Sequence, residues 1–318
     1  MTGPATARHT AAMNVDTVAT VTYRPALQAD LPHLADILIA AVDDFGRRTN
    51  VTANSTEGDT ADMAWERRRS LWEHLHRTAE QSWVAERDGR LVGYARTINR
   101  DGLRELTEYF VLPDEQSAGV GGELLARAFP SEGAVHRVIV ATSDMRALSR
   151  YLRTGLAGRF PIYTFEGSPS ADSTLPGDLT AERLGRTASS LDALGALDLE
   201  VIGHRRDVDH EWLLGARTGW LYRRDGAVIG YAYHGEWQGP FAVRDEADMP
   251  GVLGHAEAEA RRDGRTELAF EVPLVNKAAV GWLLERRYRM NPFFTFLLSD
   301  EPFGAFERYV HTSPPIFL

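Results

Sequence analysis

The sequence has no cysteine, a single lysine (Lys277) and no apolar run near the ~20 residues that a membrane-spanning helix needs. Without cysteine the chain has no disulfide, thiolate metal site or iron–sulfur cluster, and no cysteine nucleophile. Residues 1–19 lack the basic-then-apolar order of a signal peptide. We therefore predict a flexible N-terminal tail over 1–19, no membrane association and a cytoplasmic location.

Negative charge is in excess, with 45 acidic against 35 basic residues and a formal net charge of −10. A protein that binds the phosphate backbone of a nucleic acid needs a basic face, so we predict no nucleic-acid partner. His204 and His210 lack a repeated ligand spacing, and no metal site is predicted. The length of 318 residues is sufficient for two domains, each with its own core.

Two segments of the chain repeat each other at an offset of 137 residues, from Trp83 to Trp220. The first reads WVAERDGRLVGYA and the second WLYRRDGAVIGYA, so that tryptophan, Arg-Asp-Gly and Gly-Tyr-Ala fall in register. Each copy predicts two strands joined by a tight Asp-Gly turn. An offset close to half the chain predicts two copies of one domain.

Small, polar and turn-forming residues dominate the stretch between the copies, which reads GSPSADSTLPGD. We therefore predict a first domain over 20–165, a linker over 166–178 and a second domain over 179–318. In the first domain, strand-like and helix-like stretches alternate around the hairpin, and Asp30 is placed to cap the first helix. This order predicts the α/β fold class, with a mixed sheet of the α+β kind in each of two tandem domains.

One loop of the first half is suited to bind an anion. The stretch from Tyr109 to Leu125, YFVLPDEQSAGVGGELL, predicts a strand, a glycine-rich turn and the start of a helix. Glycines allow successive backbone N–H groups to point at one position, and the helix N-terminus adds about half a positive charge. A diphosphate can bind to such a loop without a basic surface. On the glycines alone, an ordinary helix entry remains the alternative.

Within this loop, Gln116-x-x-Gly119-x-Gly121 resembles the acetyl-CoA signature Q/R-x-x-G-x-G/A of the GNAT N-acetyltransferase superfamily. Downstream, the stretch from Asp144 to Leu156 resembles the family pattern N-x-x-A-x-x-x-Y-x-x-x-G-F, with aspartate and leucine at its two ends. The opening YRPA and the ADLP that follows it are similar to a family N-terminus. The resemblance covers the first half after the tail and implies the GNAT fold.

The second half resembles the same domain with its binding loop altered. Residues 276–288 echo the late helix, and Leu283 stands at the position of Tyr151. The loop segment 242–251 reads AVRDEADMPG, with acids and a proline in place of glycines, and its carboxylates would repel a diphosphate. The resemblance therefore implies a tandem GNAT protein whose N-terminal copy binds acetyl-CoA and whose C-terminal copy is degenerate.

The resemblance also implies which residues bind acetyl-CoA as the cosubstrate. Main-chain groups at the end of the strand pair with the pantetheine, the backbone of the loop holds the pyrophosphate, and the next helix begins beside them. These positions are Phe110, Val111, Leu112, Gln116, Ser117, Ala118, Gly119, Val120, Gly121, Gly122, Asp144 and Ala147.

The implied reaction is direct attack of an amine on the thioester, which benefits from a general acid and a general base. Tyr151 stands at the family's tyrosine position and is the candidate acid for the departing thiolate. Three candidates for the base stay open: Glu108, Glu105, and the carboxylate of Leu318, which is expected to lie near Tyr151. Strand alternation predicts that Glu108 shares a face with Phe110, whereas Glu105 lies on the opposite face.

The predicted function is acetyl-CoA-dependent N-acetylation of a small-molecule amine by the N-terminal copy. Three alternatives stay open: a non-catalytic acyl-CoA-binding or sensing protein, a protein or peptide N-acyltransferase, and transfer of a longer acyl group. Residues that contact the acceptor are expected on the first two helices, including Trp65 and Trp72, and on the second half. The sequence does not identify the acceptor, and it leaves a homodimer open.

Overall fold

The structure is a computed structural model that describes residues 20–51, 58, 60–116, 119–312 and 318. The predicted tail over 1–19 lies outside the described residues, and so do Ser117 and Ala118 of the glycine-rich loop. Among the helices described, none is both long and apolar enough to cross a bilayer. In the same parts of the chain, no three His, Asp or Glu side chains are grouped to hold a metal ion.

Strands and helices alternate along both halves of the chain, as predicted for an α/β fold with a mixed sheet. The strands are β1 (Thr22–Pro25), β2 (Ala79–Arg87), β3 (Arg90–Arg100), β4 (Leu103–Val111), β5 (His136–Thr142), β6 (Ala157–Gly167), β7 (Thr180–Arg183), β8 (Thr218–Arg224), β9 (Ala227–His234), β10 (Phe241–Val243), β11 (Leu268–Pro273), β12 (Arg289–Ser299) and β13 (Tyr309–Val310). The helices are α1 (Leu31–Thr49), α2 (Ala61–Thr78), α3 (Val120–Ala128), α4 (Met145–Arg153), α5 (Ala188–Val201), α6 (Asp207–Ala216), α7 (Met249–Arg262) and α8 (Lys277–Glu285).

The start of α1 differs from its prediction. Asp30 precedes the helix but makes no side-chain cap. Its carboxylate instead accepts the N–H of Leu27 at 2.7 Å and pairs with Arg24 of β1 at 2.7 Å. A short 3₁₀ turn over 28–30 runs directly into the helix, so Asp30 already has helical backbone angles and its side chain points back along the chain.

The two predicted hairpins are confirmed, and they share one register. Trp83 lies opposite Ala95 in the first, and Trp220 lies opposite Ala232 in the second. Each has Asp-Gly at its turn with both residues at positive φ, which is the backbone conformation that this dipeptide favours. The pairing also shifts by one residue at the equivalent place in both hairpins. The internal repeat is therefore a repeat of structure.

The two halves share one eight-stranded sheet, in the order β1-β2-β3-β4-β5-β12-β6-β11. Strand β12 of the second half lies between β5 and β6 of the first, with Leu297 opposite Val140 on one side and Phe160 on the other. In return, β6 pairs with β11 of the second half, where Phe165 lies opposite Phe270. The sequence predicted two domains joined by a linker, and this exchange of strands makes them one folded unit.

The remaining strands of the second half form a five-stranded sheet, in the order β13-β10-β9-β8-β7. Its edge strand β13 pairs with β10, where Val310 lies opposite Phe241. The next residue, His311, bridges to Glu271 of β11 and donates its N–H to the carbonyl there at 2.9 Å. The chain at 309–311 therefore fills the interval between β10 and β11.

The segment between the halves is packed rather than loose. Strand β6 continues to Gly167, so the connection begins two residues after the predicted boundary at 165. Ser173 is 3% exposed, and its hydroxyl donates to the buried carboxylate of Glu257 on α7. The connection is therefore fixed to α7 at Ser173.

A buried ion cluster joins the halves beneath the shared sheet. Asp209 of α6 accepts hydrogen bonds from Arg100 of β3 at 2.6 Å, and lies 2.6 Å from the ring of His74 on α2. Burial of a carboxylate is costly unless charged partners satisfy it. The cluster therefore fixes α6 of the second half to the first half.

We predict that truncating Leu297 to alanine destabilises the whole chain. Leu297 is 1% exposed and lies on the exchanged strand between β5 and β6, so the substitution should lower the free energy of unfolding by about 2–5 kcal/mol. Urea denaturation followed by circular dichroism measures this change. The control is Leu284→Ala, at a site that is 49% exposed, where a change within about 0.5 kcal/mol is expected. Equal effects of the two substitutions would contradict the prediction.

Candidate active site

A cleft opens where two neighbouring strands of the first half separate. Strands β4 and β5 run parallel but pair over only three positions, of which the last joins Glu105 to Val138. Beyond that point the strands diverge, and residues 106–111 of β4 face residues 139–142 of β5 across the cleft. The backbone edge of β4 is therefore free to pair with an extended ligand.

A β-bulge at Thr107 sets the direction of the side chains on β4. Because of the extra residue, Glu105 lies opposite Ile98 and Glu108 lies opposite Arg96, two positions of β3 that share one face. Both carboxylates therefore lie on the face of the sheet that α2 covers. The prediction that Glu105 lies on the face opposite Glu108 is wrong, because strict alternation fails at a bulge.

The opposite face carries the glycine-rich start of α3. Gly119 has a left-handed backbone (φ 82°) that turns the chain into the helix, whose first internal bond runs from the N–H of Glu123 to the carbonyl of Gly119. The earlier N–H groups of a helix have no partner within it and can bind an anion. Gly121 lies so close to the Tyr109 hydroxyl that a Cβ there would overlap it. A Cβ at this position would therefore require the Tyr109 hydroxyl to move.

Polar side chains surround the cleft where α4 begins. Asp144 caps α4 by accepting the N–H of Arg146 at 2.9 Å, and it pairs with Arg48 of α1 at 2.7 Å. Gln116 accepts a hydrogen bond from the Arg146 guanidinium at 2.9 Å and donates one to the carbonyl of Val111 at 3.2 Å. This end of the cleft is therefore positively charged and close to the start of α3.

Several predicted acetyl-CoA positions converge on this cleft. Those that line it are Phe110, Val111, Gln116, Asp144 and Ala147. Leu112 follows β4 and donates its N–H to the carbonyl of Val92 at 2.9 Å, so that it closes the end of the strand. The start of α3 supplies Gly119, Val120, Gly121 and Gly122.

Two tyrosines lie against each other on the α3 and α4 side of the cleft. The ring centroids of Tyr109 and Tyr151 are 5.9 Å apart in an edge-to-face arrangement. Burial raises the pKa of the Tyr151 hydroxyl, and the neighbouring Tyr109 raises it further. Tyr151 therefore keeps its proton at neutral pH and is in the protonated form that a general acid needs.

Glu108 is already engaged on the α2 side. Its carboxylate lies 2.7 Å from the Arg96 guanidinium and accepts the indole N–H of Trp72 at 2.6 Å. Trp72 is 1% exposed, so the tryptophan that was expected to contact the acceptor is part of the core. The contacts with Arg96 and Trp72 hold Glu108 as a buried counter-ion. Neither Glu108 nor Glu105 is among the residues that line the cleft.

Glu105 lies at the point where β4 and β5 separate, and it is 1% exposed. One carboxylate oxygen accepts the N–H of Leu318 at 2.8 Å, and the other has no hydrogen-bond partner among the described residues. Burial raises the pKa of Glu105 to about 7; the Leu318 N–H lowers it, whereas the charge of Asp209 raises it. A carboxyl that titrates near neutrality can act as a general base.

Leu318 does not take the expected position. Its N–H bonds to Glu105, and its carbonyl oxygen lies 3.2 Å from Nε2 of His204 in the second half. Glu105 is on the α2 face of the sheet, whereas Tyr151 belongs to α4 on the other face. The expectation that Leu318 lies beside Tyr151 is therefore wrong.

The sequence predicted that the first two helices and the second half contribute to the site, but not which of their residues line the cleft. Helix α1 contributes Leu38, Val42 and Phe45, β12 contributes Phe293, and α2 contributes Arg68. No short motif marks these residues, because they come together only through long-range packing and the exchange of β12. Their only sequence signal is the apolar stripe of α1, which predicts burial and not contact with a ligand.

The equivalent region of the second half is closed. Strand β13 occupies the edge of β10 that corresponds to the free edge of β4. Pro250, the second residue of α7, has no N–H, and a Cβ on Gly251 would lie 3.0 Å from Pro176 of the connecting segment. Asp248 lies in the turn before the helix and pairs with Arg224 at 2.7 Å. In the described residues of the second half, the equivalent strand edge is thus paired and the equivalent helix start is covered.

Comparison with known proteins agrees with this geometry. The acetyltransferase (GNAT) family matches residues 47–156, which include β4, the glycine-rich loop and α4. No curated protein sequence is significantly similar to this chain. Among solved structures, a proposed acetyltransferase from Pyrococcus horikoshii is similar with a TM-score of 0.70 at 15% identity, covering 95% of this chain and 97% of that one.

Two further structures share the fold over most of their length. A GCN5-related N-acetyltransferase from Sphaerobacter thermophilus has a TM-score of 0.58 at 17% identity, covering 88% of this chain and 95% of its own. A tandem GNAT protein from the clavulanic acid biosynthesis pathway has a TM-score of 0.55 at 14% identity, covering 89% and 99%. Residues 47–156 therefore match the GNAT acetyltransferase family, and the whole chain shares the fold of a tandem GNAT protein. Proteins of this class take an acetyl group from acetyl-CoA.

We predict that Gly121→Ala weakens binding of CoA at least tenfold. The added Cβ displaces the Tyr109 ring from the start of α3, which distorts the backbone that would bind the pyrophosphate. Titration calorimetry with CoA measures the effect. Gly122→Ala is the matched control, because a Cβ there has no atom within 4 Å; we expect a change below about threefold. Equal weakening by both substitutions would show that Tyr109 packing is irrelevant.

Proposed function

We propose that this protein is an acetyl-CoA-dependent N-acetyltransferase whose N-terminal half acetylates a small-molecule amine. The observation that carries the proposal is the free edge of β4 beyond Glu105, with the glycine-rich start of α3 at its end. The strand edge offers N–H and C=O groups that can pair with the amides of an extended arm. The helix start offers N–H groups that can bind a diphosphate. CoA has an amide-containing arm and a diphosphate.

The cosubstrate would lie along the cleft with its pyrophosphate at the start of α3 and its thioester at the opposite end. The start of α3 takes the pyrophosphate, and Arg48, Arg146 and Arg150 add positive charge at that end. The main chain of residues 106–111 takes the pantetheine. This direction leads the thioester toward the point where β4 and β5 separate, which is where Glu105 lies.

The reaction needs no covalent enzyme intermediate. The amine nitrogen attacks the thioester carbonyl carbon, a C–N bond forms and the C–S bond breaks. The amine loses a proton to Glu105, and the departing thiolate takes the proton of the Tyr151 hydroxyl. A main-chain N–H of β4 can polarise the carbonyl, as an oxyanion donor does.

Glu105 is favoured over Glu108 as the base for two reasons. Its free oxygen has no partner among the described residues, whereas Glu108 is bound to Arg96 and Trp72. Its pKa of about 7 also matches the operating pH of a general base. Glu108 instead supports the α2 face of the sheet.

The N-terminal half is the proposed site because the second half lacks the necessary openings. The edge of β10 is paired with β13, and the start of α7 contains Pro250 next to a turn with three acids. An anionic cosubstrate would meet repulsion there instead of free N–H groups. We therefore propose a supporting role for the second half, which includes supplying β12 to the cleft.

We predict that the pH profile of kcat/KM falls below about pH 7. A general base works only when ionised, so activity decreases as pH falls through the pKa of Glu105. Glu105→Gln should lower kcat about 100-fold or more and abolish this limb of the profile. Release of free CoA thiol measures the rate. The control Glu108→Gln should leave the limb in place, and loss of the limb only in that variant would assign the base to Glu108.

We predict that Tyr151→Phe lowers kcat about 100-fold while binding of CoA changes less than about threefold. The phenol proton is lost, but the ring that packs against Tyr109 is retained. Steady-state rates and CoA titration give the two quantities. Tyr163→Phe is the control, since its ring stacks on Phe294 away from the cleft. An unchanged kcat for Tyr151→Phe would exclude the tyrosine as the acid.

A further inference from the structure

Thr295 has a buried hydroxyl group in the wall of the cleft. The residue lies on β12, which the second half supplies, and it is 5% exposed. Its Oγ1 atom has no hydrogen-bond partner among the described residues. A threonine hydroxyl can donate one hydrogen bond and accept others, and a buried polar group costs free energy when it has no partner. Valine has nearly the same shape without this cost, so a ligand in the cleft is the partner that would explain the hydroxyl.

The other threonines of the described cleft wall have hydrogen bonds within the protein. Thr107 donates to the carbonyl of Arg96 at 3.1 Å. Thr142, which lies directly opposite Thr295 in the sheet, accepts the N–H of Asp144 at 3.4 Å. Thr295 therefore differs from both, since its hydroxyl is the one that the described part of the wall leaves to a ligand.

The strand register relates Thr295 to the proposed reacting end of the cleft. Glu105 pairs with Val138 at the last position before β4 and β5 separate, and Thr295 pairs with Thr142 of β5. Paired residues share a face and side chains alternate along a strand, so Thr142 and Thr295 lie on the same face as Glu105. Four residues of β5, from 138 to 142, span about 13 Å at ~3.3 Å per residue. A ligand with its amine at Glu105 therefore reaches Thr295 only if it has an extended body.

A group of apolar side chains lines the cleft near Thr295. Phe293, two residues earlier on β12, packs edge-to-face on Phe45 of α1 with ring centroids 6.0 Å apart. Leu38 and Val42 of α1 also line the cleft, at a spacing that places them on the same side of the helix as Phe45. An apolar surface of this kind accommodates a hydrocarbon group. This part of the cleft therefore combines a hydrocarbon wall with one hydroxyl group.

Resting on the proposed function, we propose that the acceptor is an extended apolar amine with an uncharged polar group at its far end, which bonds to the Thr295 hydroxyl. The hydrocarbon body packs on Phe45 and Phe293. A hydroxyl or amide suits the far end, because it can donate or accept a hydrogen bond and places no charge against the apolar wall. In this account Thr295 determines specificity and takes no part in proton transfer.

An acyl chain longer than acetyl is the other ligand that an apolar wall would accommodate. The far end of such a chain is hydrocarbon, so it would leave the Thr295 hydroxyl without a partner. The combination of wall and hydroxyl therefore favours the acceptor as the occupant.

The proposal is tested by comparing amino alcohols with plain amines of equal chain length. The pairs are 4-aminobutan-1-ol with butylamine, 6-aminohexan-1-ol with hexylamine, and 8-aminooctan-1-ol with octylamine. We expect kcat/KM, measured by thiol release from acetyl-CoA, to favour the alcohol about tenfold in the six- or eight-carbon pair, in keeping with one hydrogen bond to a buried group. The four-carbon alcohol is too short and should have no advantage. Absence of a preference for the alcohol in both longer pairs overturns the proposal.

Variants of Thr295 test whether this residue recognises the far end of the acceptor. Thr295→Val removes the hydroxyl and keeps the shape, so kcat/KM for the favoured alcohol should fall about tenfold while that for its paired amine stays within about threefold. Thr295→Ser keeps a hydroxyl and should retain the preference. The control Thr180→Val changes an exposed threonine on β7 and should have no effect. A preference for the alcohol that persists in Thr295→Val, or equal losses for alcohol and amine, would overturn the assignment.

The same measurements, repeated with octanoyl-CoA as donor, separate this inference from the function on which it rests. If octanoyl-CoA is the better donor and Thr295→Val changes that preference, the wall holds the acyl group and the proposed acceptor class is overturned. If CoA binds and the plain amines cause thiol release without any advantage of the alcohols, only the acceptor class is wrong. If CoA binds and no amine of the set causes thiol release, the acceptor class is likewise overturned. If CoA does not bind, the proposed function fails as well.

Discussion

The early end of pairing between β4 and β5 is the feature on which the site depends. Three paired positions hold the strands together, and the bulge at Thr107 follows directly after them. Separation of the strands frees the backbone edge of β4, and the bulge places Glu105 and Glu108 on one face. If β4 and β5 were paired along their whole length, the N–H and C=O groups of β4 would already have partners and could not pair with a ligand.

The second half shows what happens when the same interval is filled by the protein itself. Strand β13 pairs with β10, and His311 bridges to β11, so the edge that is free in the first half is satisfied internally. The duplicated domain then supports the first, since β12 lies between β5 and β6 and its Phe293 lines the cleft. The first copy of the domain therefore depends on the second for one strand of its sheet and for part of the cleft wall.

Local features were predictable from the sequence, and long-range ones were not. The two hairpins follow from Asp-Gly turns between alternating strands, and the start of α3 follows from its glycines. The exchange of β12 leaves no mark in the sequence, because a buried strand has the same pattern in either sheet. The bulge at Thr107 puts Glu105 on the face opposite to the predicted one. A bulge arises where two strands pair, so the sequence of one strand does not reveal it.

The residues of the candidate site also fall into a local group that the sequence predicts and a long-range group that it does not. The residues near the glycine-rich loop belong to one continuous segment, so a short motif identifies them. Arg68 and Phe293 reach the cleft from a distant helix and from the second half. The raised pKa of Glu105 likewise depends first on burial, and then on Leu318 and Asp209, which are more than 100 positions away along the chain. Only the folded arrangement shows these contributions.

Hydrogen–deuterium exchange with and without acetyl-CoA tests the central claim most directly, because it reports on both halves in one experiment. The account predicts that the cosubstrate slows exchange of main-chain N–H groups over 106–128, along β4 and the start of α3. It also predicts no change over 241–262, where β10 and α7 form the equivalent but closed region. Protection of 241–262, or the absence of protection over 106–128 with the cosubstrate bound, would contradict the account.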